Sequence, residues 1–243
     1  MNHNNTKMTE WEDISIEKTS QPGAAQIPLR DPPSYSHHAG PPRLRILGAT
    51  WGGVQVTEDI QDMVSATETV TFDMCTLHQL LQPDPVYGTV KTLSVLYTYE
   101  GLDDIYLLNM SEQERSPVSI SPTARHIPES PQHPSIRTLE APFWKARREN
   151  NRHEDHAGHS EVEILAVLYG PQMIDTPKVL KELGGFFEGR RGQIRMTNSF
   201  FRADTWPGER KSWAVYFRFV GSPRIQVVTG MEDGALEVPW SRH

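Results

Sequence analysis

Cysteine is almost absent from this chain: Cys75 is the single one in 243 residues. No disulfide can close within it, so a reducing compartment is expected. Long apolar runs are missing as well. No stretch is long enough to span a bilayer, and the opening Met1-Asn-His-Asn-Asn-Thr-Lys-Met8 lacks the apolar core of a signal peptide. The expectation is a soluble, cytoplasmic protein whose sequons at Asn4 and Asn109 stay unmodified. Basic excess is lacking too, the formal charge being -7. Residues 43–113 carry 3 Lys or Arg against 10 Asp or Glu, whereas residues 161–243 carry 11 against 10. A nucleic-acid partner needs a basic footprint and is not expected. The acidic first stretch reads either as a solvated face or as a docking surface. Ser-His-Asp arrangements, phosphate-cradling glycine loops, paired-Cys motifs and dinucleotide fingerprints are all missing, so neither a cofactor nor a metal is expected.

What the chain does contain is a duplication. Asp84-Pro-Val-Tyr-Gly-Thr-Val-Lys-Thr-Leu-Ser-Val-Leu-Tyr-Thr-Tyr99 recurs as Asp204-Thr-Trp-Pro-Gly-Glu-Arg-Lys-Ser-Trp-Ala-Val-Tyr-Phe-Arg-Phe219. In both copies an Asp opens a tight turn, a Gly follows four residues on, a Lys three after that, and then a strand. Period-two alternation puts Leu93, Val95, Tyr97 and Tyr99 on one strand face, and Trp213, Val215, Phe217 and Phe219 on the matching face. The flanks repeat as well. Leu44 to Gly52 matches Val162 to Gly170, with Trp51 in the place of Tyr169, and Glu112 matches Glu232. Thr57 ahead of Glu58 and Asp59 reads as the cap of a helical turn, and Asp175-Thr176-Pro177 opens a second one that Gly184-Gly185 is expected to stop.

The expected fold class is all-β, β-rich with short helical turns, as two tandem sandwich-like modules that pack together because each is too small to bury a sufficient core alone. The modules are 43–113 and 161–243. Residues 1–42 read as a disordered Pro/Ser/His-rich tail. Within it, Pro32-Pro33-Ser34-Tyr35 has the form of a Pro-Pro-x-Tyr ligand for a WW domain, with Pro32, Pro33 and Tyr35 as the partner-binding residues. Residues 114–160 read as a linker in which Pro117, Pro122, Pro128, Pro131 and Pro134 exclude a regular element. Phe143-Trp144-Lys-Ala-Arg-Arg148 is the exception, a candidate short amphipathic helix that docks on a module or engages a partner.

The Asp-x-x-x-Gly-x-x-Lys turn and strand, with Gly52, Val56-Thr57, Asp84-Pro85, Gly88, Lys91 and Glu112, resemble the β-rich C-terminal domain of unknown function in J-domain proteins of the DnaJ-subfamily-C, member-eleven type, also found in standalone fungal proteins. Gly170, Asp204, Pro207, Gly208, Lys211 and Glu232 carry the resemblance in the second copy. It implies the β-rich fold and an interaction role, and it brings no catalytic residues. The His-Pro-Asp tripeptide of a J domain is missing, so stimulation of an Hsp70 partner is not implied.

Three groups of residues are candidates for chemistry. His153, His156 and His159 fall at three-residue spacing, read either as metal ligands on one helix face or as a polar loop. Asp84 and Asp204, with Lys91 and Lys211, are either acid–base groups, joined by Glu232, or local turn and strand-edge devices. Trp51, Tyr169, Trp206, Trp213 and Arg195 differ between the copies or enrich only one of them, and are candidates to line a pocket for a planar or anionic ligand. Two functions follow. The first is a non-enzymatic binding or adaptor protein whose partner is another protein or a small organic molecule. The alternative is a cofactor-free cyclase or isomerase with a cavity between the modules, lined by Trp51, Trp206 and Trp213 and using Asp84, Asp204 or Glu232 for proton transfer.

Overall fold

The computed structural model describes residues 41–73, 77–78, 84, 86–122, 136–139, 144–145, 162–189 and 192–237. Pro32, Pro33, Tyr35, Phe143, His153, His156 and His159 lie outside the described residues.

The first module is built on a five-stranded antiparallel sheet in the order β2-β1-β4-β5-β7. These are β1 (Leu44–Trp51), β2 (Val54–Gln55), β4 (Thr92–Tyr99), β5 (Ile105–Ser111) and β7 (Ile136–Leu139). A small pair, β3 (Val70–Phe72) with β6 (Val118–Ile120), and helix α1 (Thr57–Asp62) close over one face. The second module repeats the plan. Its sheet runs β10-β9-β12-β13, with β9 (Val162–Tyr169), β10 (Gln172–Met173), β12 (Ser212–Phe219) and β13 (Ile225–Met231), and β8 (Trp144–Lys145) pairs with β9. Helices α2 (Pro177–Phe187) and α3 (Asn198–Phe201), and the pair β11 (Ile194–Arg195) with β14 (Ala235–Leu236), cover its core. The fold is all-β and two-module, as the repeat requires.

The alternation is realised: Leu93, Val95, Tyr97 and Tyr99 enter the first core, while Trp213, Val215 and Phe217 enter the second with Phe219 packed against it. The opposite strand faces are buried as well, because the two sheets stack through them. Leu96, Leu107, Leu165, Ala166, Leu168, Ala214 and Tyr216 form a third cluster that joins the modules. The first strand of each module also carries a bulge. One extra residue enters β1 between Ile46 and Gly48, and one enters β9 between Ile164 and Ala166. The extra residue reverses the side-chain parity, so Leu44 and Ile46 face the first core but so do Ala49 and Trp51. Leu165, the inserted residue of β9, points into the module interface.

Hydroxyls on that shared face bond one another, within a sheet and across to the other, while the Asn109 side-chain oxygen, opposite Ser94 on β5, is buried with no partner among the described residues. Thr92 and Ser212 stand at equivalent positions of the repeat, and their hydroxyls meet at 2.7 Å. Ser94 joins the Thr50 and Tyr216 hydroxyls, each at 2.7 Å. Both modules lie within one compact unit, Gly40–His243. Among the described residues no helix is long and apolar enough to cross a membrane.

Four local expectations need correction. Thr57 does not cap α1: Val56 is the cap residue, and the Thr57 hydroxyl accepts the Ala49 N–H of β1 at 3.0 Å instead. Gly184-Gly185 does not stop α2, which runs on to Phe187 because Leu183, Phe186 and Phe187 are buried, a gain that outweighs the roughly 1 kcal/mol each helical glycine costs. The proline-dense stretch 114–160 contributes strands β6, β7 and β8, each short and lying between prolines rather than across them. Trp144 and Lys145 belong to β8, so this part of the candidate amphipathic helix is extended backbone paired to Ile164 and Glu163.

Candidate functional site

Each copy of the Asp-x-x-x-Gly-x-x-Lys segment folds into the same charge cluster around a buried lysine. Asp84 Oδ1 accepts the Val86 N–H at 2.9 Å and Asp204 Oδ1 accepts the Trp206 N–H at 3.3 Å, the local turn bond expected of Asp at this position. The lysines seven residues on are not strand-edge guards. Lys91 is 3% exposed and Lys211 is 2% exposed, so each is sealed in its module.

What makes these positions tenable is complete pairing. Lys91 Nζ lies 3.0 Å from Asp84 Oδ2 and 3.5 Å from Glu112 Oε1, and donates to the Thr89 carbonyl at 3.2 Å. Lys211 Nζ lies 2.8 Å from Asp204 Oδ1 and 3.3 Å from Glu232 Oε2, and donates to the Glu209 carbonyl at 2.9 Å. Three acceptors match the three N–H bonds of an ammonium. A ring covers the remaining side: Trp51 with its centroid 5.9 Å from Lys91 Nζ, and Tyr169 at 5.5 Å from Lys211 Nζ. Gly52 and Gly170, which follow those rings, both adopt positive φ (53° and 55°) and lie directly on the lysine stems. A Cβ on Gly52 would stand 3.1 Å from Lys91 Cγ, and one on Gly170 3.4 Å from Lys211 Cγ.

The glutamates bind their clusters to the sheet. Glu112 Oε2 accepts the Lys91 backbone N–H at 2.8 Å while the Glu112 N–H donates to the Lys91 carbonyl at 2.8 Å. Glu232 does the same with Lys211, at 3.2 and 2.7 Å. The copies diverge at one point. In the first, His78 Nε2 meets Glu112 Oε1 at 2.8 Å and its ring stands edge-on to Trp51. In the second, the Tyr169 hydroxyl donates to Glu232 Oε1 at 2.7 Å, with the Asn198 side-chain amide also 2.7 Å from it. Trp with His thus replaces Tyr with Asn against the same carboxylate.

Electrostatics follow from the pairing. Burial alone would raise the Asp84 carboxyl, but the Val86 N–H, Lys91 and His78 outweigh it and hold it below the ordinary value of 3.8. Lys211 is the leading cause for Asp204, lowering it from 3.8 against a smaller burial effect. Glu232 is likewise pulled below 4.5: burial pushes upward, and the Tyr169 hydroxyl, the Lys211 N–H and the Lys211 ammonium overcome it. Burial first, and then the bond to Glu232, push the Tyr169 hydroxyl far above its ordinary value. The clusters therefore hold Asp84, Asp204 and Glu232 as anions.

Of the aromatic candidates only Tyr169 and Trp213, directly opposite each other on β9 and β12, are brought together. Trp51 lies in the first core, whereas Tyr169 and Trp213 lie in the second, Trp213 donating its indole N–H to the Met231 carbonyl at 3.0 Å. Trp206 is half-buried in the Asp204 turn, and Arg195 is exposed on β11. The space between the sheets is occupied by the third apolar cluster. A hollow of about 360 Å³ opens elsewhere, among Arg43, Leu44, Arg45, Gln61 and Glu100. It lies where the Leu44 N–H donates to Glu68 and the Ile46 N–H to Gln61. Sequence reasoning passed over His78 and Asn198, since each becomes significant only where a distant Glu reaches it; the Trp51-to-Tyr169 difference was the available signal. Comparison of the chain with family models, curated proteins and solved structures gave no match.

Proposed function

We propose that this chain is a non-enzymatic binding protein whose pseudo-symmetric β body is a scaffold. The observation that carries the reading is the pair of closed lysine clusters. Asp84, Asp204 and Glu232, the groups that a proton-transferring cyclase or isomerase would use, are anions fixed on Lys91 and Lys211. An anion with a lowered pKa is a poor general acid and a weak general base near neutrality. Residues that recur in both copies serve what the copies share, which is the fold. The resemblance to the β-rich domain of J-domain proteins points toward interaction as well, and the Pro-Pro-Ser-Tyr segment supplies a second contact of the polyproline type.

Native mass spectrometry of the protein isolated under mild conditions from its own cell extract tests the reading. A stoichiometric protein partner is expected. A small organic molecule retained by the native chain and released by Trp213→Ala, with no protein partner, overturns it in favour of the enzyme.

A further inference from the structure

The repeat places β5 and β13 at equivalent positions, Ile105–Ser111 against Ile225–Met231, each the last strand of its hairpin. Their outer edges differ. β5 is covered by β7, antiparallel, from Ile105 opposite Leu139 to Leu108 opposite Ile136. The matching edge of β13, Ile225–Val228, has no strand beside it among the described residues. Burial records the difference: Tyr106, Leu107 and Leu108 are buried, whereas every residue of β13 is half-buried.

An edge strand ordinarily carries a defence against further pairing, such as a charge, a proline or a bulge. β13 has none. Its sequence, Ile225-Gln-Val-Val-Thr-Gly-Met231, contains no charged residue and no proline, and its register with β12 runs unbroken from Arg218 opposite Ile225 to Ser212 opposite Met231. The chain itself shows what such an edge accepts, because the same hairpin in the first module holds a four-residue antiparallel strand of sequence Ile-Arg-Thr-Leu.

We propose that the outer edge of β13, centred on Ile225–Val228, takes up an extended antiparallel strand from a partner protein, in the register that β7 adopts on β5. This inference rests on the binding role proposed above and names its partner as a segment that enters extended, carries no proline over at least four residues, and is held by main-chain hydrogen bonds. Specificity then comes from the faces that border the edge, Val227 toward the module interface and Val228 toward the second core.

The test uses the full chain and a synthetic peptide bearing Ile-Arg-Thr-Leu between solubilising flanks. In the chain alone, amide hydrogens of Ile225–Val228 exchange faster than those of Ile105–Leu108, and peptide in molar excess slows the former and leaves the latter unchanged. Of two peptides N-methylated at alternate residues, one binds about tenfold or more weakly and the other as well as the parent, since only alternate N–H groups face the edge. Equal protection of both segments in the free chain, absence of slowing by the peptide, or equal binding of the two methylated peptides overturns the proposal. Protection of Ile225–Val228 that rises with protein concentration alone, together with dimer in sedimentation, overturns it by making a second copy the occupant. A protein partner that binds without protecting Ile225–Val228 leaves the binding role standing and removes this site.

Discussion

At the scale of single residues, the lysine clusters bind the Asp-x-x-x-Gly-x-x-Lys turn to the neighbouring strand and hairpin. Their glycines are required on two counts, a positive φ and a lysine stem beneath. Gly170→Ala is expected to lower stability by about 1–2 kcal/mol in chemical denaturation, because an L side chain is strained at this φ and its Cβ would also sit 3.1 Å from Thr205 Oγ1. Lys211→Met should cost roughly 2–3 kcal/mol, below the usual penalty for breaking a buried pair because Asp204 reaches solvent. The sign of the pH dependence follows from the lowered carboxyls. Asp84, Asp204 and Glu232 bind protons more weakly folded than unfolded, so they contribute fully above pH 4.5. That contribution is lost as pH falls through their folded values. Denaturation midpoints measured from pH 6 downward, on a scale set by the ordinary carboxyl range near 4, should fall on the acid side, and Glu232→Gln should make that fall shallower. An unchanged acid slope in the variant would mean that Glu232 does not hold its charge through this cluster.

At the scale of elements, the strands were legible and their ends and partners less so. Alternation in β4 and β12 identified the core faces correctly, since a period of two needs only local sequence. The bulges at Leu47 and Leu165 escaped it, because an inserted residue is defined by the strand opposite rather than by its own run. Helix α2 shows the reverse conflict, with a pair of glycines overridden by three buried residues. Gly185 meets nothing within 4 Å of an added Cβ and has no positive φ, so Gly185→Ala should stabilise the protein by about 0.5–1 kcal/mol. A thermal midpoint that does not rise would place an unseen contact at that surface.

At the scale of the whole molecule, the modules are coupled through a face that a single module would leave in water. Tyr216 is wholly buried there, with its hydroxyl on Ser94 of the other sheet. Tyr216→Ala should destabilise by about 3–5 kcal/mol, and amide exchange should show both modules losing protection together rather than the second alone. Separate transitions for the two modules would contradict a shared core. The charge clusters do not cross this interface: each belongs to its own module, which is why they read as parts of the fold rather than as one composite site.

The sequence by itself determined the duplication, the all-β class, the core faces of the central strands and the identity of the charged residues, because repeats, periodicity and turn chemistry are local properties of a chain. Tertiary structure alone decided what those residues do. Lys91 meets Glu112 across twenty-one positions, and Tyr169 meets Glu232 across sixty-three. Ser94 meets Tyr216 across one hundred and twenty-two. Whether a lysine guards an edge or lies sealed in a core, and whether a strand edge is covered as in β5 or has no neighbouring strand among the described residues as in β13, depends on segments that only folding brings alongside.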